Sequence, residues 1–224
     1  MPAAPDAPLA AVVLAAGAGR RFGHRPKCLL TRGGEPLIAR QLRLLHETGV
    51  AHVAVALGHH AGRIAPVLAA LQARGSPHVP AHLCVAVNPA PDAGGVASSL
   101  RCALAALPAD VGGVMVLLAD QPLLTPGDLL TMQHVWHARA PAVQLVLPTH
   151  AGQPGHPLVL GPLVRSAVMQ GRAVRDWRRT HPAQVQALAL DHPRCTLDVD
   201  DEAARQQLAA QHGVALHWPA ELVG

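Results

Sequence analysis

Short apolar runs alternate with amphipathic stretches from residue 9 onward. Residues 9–16 are apolar and short enough for a buried strand rather than a helix. Residues 36–48 repeat apolar side chains at helical spacing, with Pro36 at the start and Gly49 just past the end. The same reading predicts a strand at 51–57, a helix at 62–74 with Pro66 near its first turn, and a strand at 82–87. Residues 88–97, with Asn88-Pro89 and Gly94-Gly95, read as a loop, and Ser98 as the cap of a helix running to about Leu107. A strand at 114–118 ending at Asp120, a helix at 126–138 and a strand at 143–148 follow. Beyond residue 150 the pattern is less regular: strands at 156–160, 185–190 and 195–199, and helices at 161–169, 172–180 and 201–212.

This alternation predicts a Rossmann-like, three-layer α/β/α fold with a mostly parallel sheet. No linker, internal repeat or low-complexity segment interrupts it, so residues 1–224 are expected to form one domain, with 1–8 as a flexible tail.

Composition narrows the function. Half of the chain is hydrophobic and 14% is charged, enough apolar surface for a large core. Tyrosine is absent and Phe22 is the single phenylalanine, which leaves little to stack on single-stranded nucleic acid. A formal charge of +4 favours small anions over a nucleic-acid surface. The arginines are scattered except for Arg20-Arg21 and Arg172, Arg175, Arg178 and Arg179, the latter read as a solvated helix face. Cys28, Cys84, Cys102 and Cys195 form no CxxC pair and read as reduced thiols, and the histidines show no metal-ligand spacing. The amino terminus lacks the basic start of a secretory signal, and no apolar run is long enough for a membrane span; a cytoplasmic location and no membrane partner are expected.

Against this arginine-rich background, Lys27 is the only lysine. It closes a glycine- and arginine-rich stretch that follows the first strand, where backbone N–H groups of Ala16 to Gly19 can face a polyphosphate without side-chain obstruction. Arg20 and Lys27 can neutralise its oxygens. Ligands of open α/β sheets bind beyond the carboxyl ends of the strands, and Asp120 falls at another such end, where a carboxylate can hold Mg²⁺ against phosphates. The expected layout is a cationic mouth facing a carboxylate-held magnesium, with a triphosphate between them. No nucleophile accompanies these groups, which suits direct transfer of a nucleotidyl group to an anionic acceptor.

Leu14-Ala-Ala-Gly17-Ala-Gly19-Arg20-Arg21-Phe22-Gly23, with Lys27-Cys28-Leu29-Leu30, resembles the LAAGxGxRxG…KxLL signature of nucleotidyltransferases related to molybdenum cofactor cytidylyltransferase. Asn88-Pro89 with Gly95 and Ser98-Ser99-Leu100 resembles that family's NP…G…SL loop, and Leu117-Leu118-Ala119-Asp120-Gln121-Pro122 its LLGDQP. Gly155 to Leu160 resembles its acceptor-side segment, and Thr196 to Asp200 its terminal DxDTPED. The resemblance implies a nucleotide-diphospho-sugar transferase-like fold. Leu14, Ala15, Ala16, Gly17 and Gly19 would contact the nucleotide, and Arg20 and Lys27 the triphosphate. Gly95 and Ser99 would lie near base and ribose. Asp120 and Asp198, with Asp200 as the alternative second ligand, would hold Mg²⁺, and His156 would sit on the acceptor side. Ala16 matches members that favour CTP, where guanylyltransferases tend to carry LAGG. The implied acceptor is a molybdopterin-type phosphate and the implied recipient a molybdoenzyme. Three departures stand out: Ala119 for glycine, Asp201-Glu202-Ala203 for TPED, and a Gly171–Arg175 stretch without the family's acid.

Other readings compete: transfer from GTP or another nucleotide to a different phosphate acceptor, an NAD(P)-binding oxidoreductase, and a non-catalytic molybdenum cofactor chaperone. For the oxidoreductase, Gly17, Gly19 and Gly23 give GxGxxxG instead of GxGxxG, and no acid falls at a strand end about twenty residues on.

Overall fold

The computed structural model describes residues 8–73 and 78–222. The sequence-predicted tail lies outside them except for Pro8, as does residue 74 at the end of the second predicted helix. The elements in chain order are β1 (Leu9–Ala15), β2 (Thr31–Arg32), β3 (Glu35–Pro36), α1 (Leu37–Glu47), β4 (His52–Leu57), α2 (Ala61–Ala73), β5 (His82–Val87) and α3 (Pro91–Ala105). There follow β6 (Gly113–Leu118), α4 (Pro126–Ala138), β7 (Leu145–His150), β8 (Gln153–Pro154), β9 (Leu158–Leu160), α5 (Pro162–Met169), α6 (Val174–Thr180), β10 (Val185–Ala189), α7 (Glu202–His212) and β11 (Leu216–His217).

The main sheet runs β10-β7-β9-β6-β1-β4-β5, with β8 paired to β7. β1 is parallel to both β4 and β6, β4 to β5, and β7 to β10; β9 is antiparallel to its two neighbours. The reversal starts at Ala151 (φ 48°) and Gly152 (φ 78°), whose positive φ values suit a tight two-residue hairpin between β7 and β8.

Successive residues of a strand face opposite sides of the sheet, and the core divides accordingly. Ala11, Val13, Val53 and Val55 pack with Ile38 and Leu42 of α1, Ile64 and Leu68 of α2, and Met132 and Trp136 of α4. Ala10, Val12, Ala54 and Ala56 pack with Leu100 and Leu104 of α3, Val164 and Val168 of α5, and Trp177 of α6. The sheet is therefore covered on both faces, as the βα alternation predicts.

Four local expectations are corrected. The loop foreseen at 88–97 is helical from Pro91; α3 is interrupted at Gly95, whose φ of 55° and ψ of −145° suit glycine. The strand expected at 143–148 lies at 145–150, and that at 156–160 is confined to 158–160. Residues 195–199 form no strand: a 3₁₀ turn at Pro193–Cys195 leads into irregular backbone. A second, three-stranded antiparallel sheet, β11-β2-β3, has strands of two residues each, too short for an alternation pattern to announce. It packs with α7 around Phe22, Leu30, Leu37, Val199, Leu208 and Leu216. No helix among the described residues is long and apolar enough to cross a membrane. The four cysteines are free thiols, Cys28 and Cys195 buried.

Candidate active site

β1, β4, β5 and β6 end on one side of the sheet, and a cavity of about 560 Å³ opens there. The chain leaves β1 through Ala16–Gly19 and enters a 3₁₀ turn at Arg20–Phe22. Gly19 has φ 61°, and a Cβ there would lie 1.9 Å from the Arg25 carbonyl oxygen, so this corner admits only glycine. The turn closes on the Gly19 carbonyl, which accepts from the N–H of Phe22 at 2.9 Å and of His24 at 3.0 Å. Ala16, Gly17 and Ala18 line the cavity, and a Cβ added to Gly17 would enter open space. Gly58, after β4, lies close under this turn: a Cβ there would be 2.7 Å from the Ala16 carbonyl. The place where a dinucleotide fold keeps its ribose-binding acid is thus occupied by glycine.

Lys27 opens a second 3₁₀ turn, Lys27–Leu29, anchored by buried Cys28 and Leu29. Burial pushes the Cys28 thiol up to about 12, which makes it inert. The Lys27 ammonium does not face Asp120 across a gap wide enough for a triphosphate, as the sequence reading expected. It touches it: Nζ lies 2.6 Å from Asp120 Oδ2 and 2.6 Å from Asp200 Oδ1. Burial by itself would lower the Lys27 pKa, but Asp120 and Asp200 outweigh it and hold the pKa above its ordinary value.

Asp120 follows β6, and its backbone carbonyl accepts from Val199 N–H at 3.1 Å. Val199 is buried in the small core, while Asp198 and Asp200 on either side of it line the cavity. Ligand oxygens of Asp120, Asp198 and Asp200 lie within 4.8 Å of one another. The Asp198 side chain reaches solvent; partial loss of hydration and the Asp120 and Asp200 carboxylates push its pKa up. Burial would raise Asp200 as well, but hydrogen bonds from Lys27 and the charge of Arg21, whose Nη2 is 2.7 Å away, pull it down. A hard cation suits such an oxygen cluster, because it would relieve the mutual repulsion.

The far wall comes from the start of α3. Buried Asn88 donates its amide to Ser98 Oγ at 2.8 Å and Ser99 Oγ at 3.0 Å, fixing the break at Gly95. Arg20 and His59 both reach Asp92 Oδ1, at 3.1 and 3.3 Å, across the mouth. Of the sequence-predicted residues, Leu14, Ala15, Ala16, Gly17, Gly19, Arg20, Lys27, Gly95, Ser99, Asp120, Asp198 and Asp200 all line this cavity. His156 does not; its backbone N–H donates to the Cys195 carbonyl at 2.8 Å. Sequence reasoning passed over the supports of the acidic cluster. Buried Gln121 donates to the same Cys195 carbonyl at 2.8 Å, and its own carbonyl accepts from Gln41 at 2.7 Å. Arg194, beside Cys195, binds Asp128 in the first turn of α4.

Residues 11–189 match the model of the MobA-like NTP transferase domain. The chain belongs to that family. Bifunctional protein GlmU of Kineococcus radiotolerans is 35% identical over 158 residues, covering 70% of this chain and 30% of that protein. GlmU of Mycobacterium leprae is 30% identical over 177 residues, covering 78% and 34%. The chain therefore spans about a third of the curated relatives it matches. Rv0371c of Mycobacterium tuberculosis superposes with a TM-score of 0.68 at 26% identity, over 90% of this chain and 97% of that one. The manganese complex of the same protein gives 0.65. A nucleotidyl transferase from Methanothermobacter shares the fold at TM-score 0.70 and 19% identity. This MobA-like chain is accordingly a nucleotidyltransferase enzyme. The match is to the broader family; the narrower cytidylyltransferase resemblance is carried by the motifs alone.

Proposed function

We propose that this enzyme transfers CMP from CTP to the terminal phosphate of a molybdopterin-type cofactor, releasing pyrophosphate. The observation that carries the reading is the meeting of Lys27 with Asp120 and Asp200 at the end of the glycine turn. That contact brings the chain's only lysine to carboxylates that would serve as divalent-cation ligands, where a triphosphate would be handled. Ala16, at the position where guanylyltransferases of the resembled family tend to carry glycine, supports cytosine over guanine.

The glycine turn would seat the triphosphate against backbone N–H groups, with Arg20 and Lys27 neutralising its oxygens. Asp120, Asp198 and Asp200 would hold Mg²⁺, and the manganese complex of the Rv0371c structure supports a divalent ion. When bound, such an ion withdraws charge from the phosphate under attack. An acceptor phosphate oxygen forms the new bond to the α-phosphorus as the bond to the β-phosphate bridge breaks, and pyrophosphate leaves with that electron pair. The protein contributes positioning and charge neutralisation. His156 would act on the acceptor side only indirectly, through the Cys195 segment its N–H holds. A molybdoenzyme would receive the product.

The test is to incubate the enzyme with Mg²⁺, molybdopterin phosphate and each of four α-labelled nucleoside triphosphates separately. Label should enter the acceptor from CTP at least ~10-fold faster than from GTP, a modest pocket discrimination. Equal or reversed rates would overturn the cytosine assignment, and no label from any nucleotide the acceptor assignment.

A further inference from the structure

We propose that Lys27 and the divalent cation are alternative occupants of one carboxylate pair, so that the metal enters this site together with the nucleotide and not ahead of it. The inference rests on the metal-dependent reading above. Lys27 Nζ lies 2.6 Å from one oxygen of Asp120 and 2.6 Å from one oxygen of Asp200, and those carboxylates belong to the only three-membered acidic cluster among the described residues. A divalent ion sits roughly 2.0–2.6 Å from its carboxylate oxygens. An ion shared by Asp120 and Asp200 would therefore take the space the ammonium holds. Side by side the two repel, a doubly charged ion more strongly than a single charge, and partial burial leaves that repulsion less screened than in bulk water.

Lysine suits this exchange because its charge rides on a flexible four-carbon stem, whereas the planar fork of arginine would bind the carboxylate more rigidly. Arg21 holds the second oxygen of Asp200 at 2.7 Å and can keep that carboxylate compensated while Lys27 departs. What Lys27 needs is another anion, and the glycine turn next to it is where the nucleotide's phosphates would bring one. Without nucleotide, the metal must displace the ammonium with nothing to receive it. With nucleotide, the ammonium moves to phosphate and the carboxylates are released. Metal and nucleotide then strengthen each other's binding by the same factor, as linkage requires.

The experiment follows free Mn²⁺ by electron paramagnetic resonance while it is titrated into the full-length protein, with and without CTP. Wild type, Lys27→Met, Lys27→Gln and Asp120→Asn are compared, each checked for wild-type circular dichroism. Without nucleotide, both Lys27 variants should bind Mn²⁺ about tenfold or more tightly than wild type, and CTP should strengthen Mn²⁺ binding at least ~10-fold in wild type but little in the variants. Unchanged or weaker Mn²⁺ affinity in both Lys27 variants would overturn the proposal, while loss of Mn²⁺ binding in Asp120→Asn would leave the metal reading standing. Mn²⁺ binding untouched by Asp120→Asn would overturn the metal reading and the proposal with it.

Discussion

Arg194 grips Asp128 through two parallel bonds, Nε to Oδ2 at 2.9 Å and Nη2 to Oδ1 at 2.8 Å. Asp128 also completes the capping box of α4: it accepts from the N–H and hydroxyl of Thr125, the residue that caps the helix, and its own N–H donates back to the Thr125 hydroxyl. The connection that begins with Asp120 is thereby tied at its far end to the turn preceding Asp198 and Asp200. Arg194→Ala should lower stability by about 1–3 kcal/mol, the scale of leaving a buried acceptor underused. It should also weaken Mn²⁺ binding in the presence of CTP. Arg194→Lys restores the charge but not the fork, so it should recover more of the melting temperature than of the metal affinity. Thermal unfolding alongside Mn²⁺ titration checks this; equal recovery of both would mean the pair serves stability alone.

Gly19 and Gly17 make a contrasting pair. An alanine at 19 must take a left-handed backbone, which costs about 1–2 kcal/mol, and its Cβ would run into the Arg25 carbonyl. Gly19→Ala should therefore lower the melting temperature and abolish nucleotide binding together. Gly17→Ala meets no protein atom and should leave the melting temperature nearly unchanged while weakening CTP, because its methyl group enters the cavity. Differential scanning fluorimetry with and without CTP separates the two.

Lys27→Ala should reduce turnover by ~10²-fold or more, the scale of losing one oriented charge donor, with the far-ultraviolet circular dichroism of the wild type. A turnover within a few-fold of wild type would show that Arg20 and the glycine turn suffice for the phosphates.

His156 gives a pH signature. Its burial pushes the imidazole pKa down to about 4, from an ordinary value near 6.5. Between these values the unfolded chain takes up a proton that the folded chain refuses, so acidification favours unfolding. Stability should fall as pH drops from about 6.5 towards 4, and His156→Gln should flatten that part of the profile. Urea unfolding of both proteins at successive pH values measures it; parallel profiles would contradict an imidazole kept neutral by loss of hydration.

The parts legible in the sequence are those governed by local pattern. The β1 and β6 runs and α4, which opens with Thr125-Pro126, fall within a residue or two of expectation because their apolar periods and caps are local. Lys27, Asp120 and the glycine turn could be placed on one sheet edge because strand ends are fixed by those runs. Residues 195–199 carry the pattern of a strand, with Val199 buried between Asp198 and Asp200, an alternation that matches β structure, but they form none. Their backbone instead pairs with the Asp120 carbonyl and through Cys195 with Gln121, contacts that are remote in sequence. Arg194 carries no local signal at all, since its partner Asp128 is 66 residues away. The direct contact of Lys27 with Asp120 was equally invisible, because sequence can place two charges on one edge but not set the distance between them.

The most direct test of the central claim, that the Lys27–Asp120–Asp200 constellation performs nucleotidyl transfer, is pyrophosphate release measured against labelled CMP incorporated into a molybdopterin phosphate acceptor. In wild type with Mg²⁺, pyrophosphate and labelled product should form in equal amounts, and chelation of the metal or Asp120→Asn should stop both. Equal rates in wild type and Asp120→Asn, or pyrophosphate formed without any label in the acceptor, would contradict it.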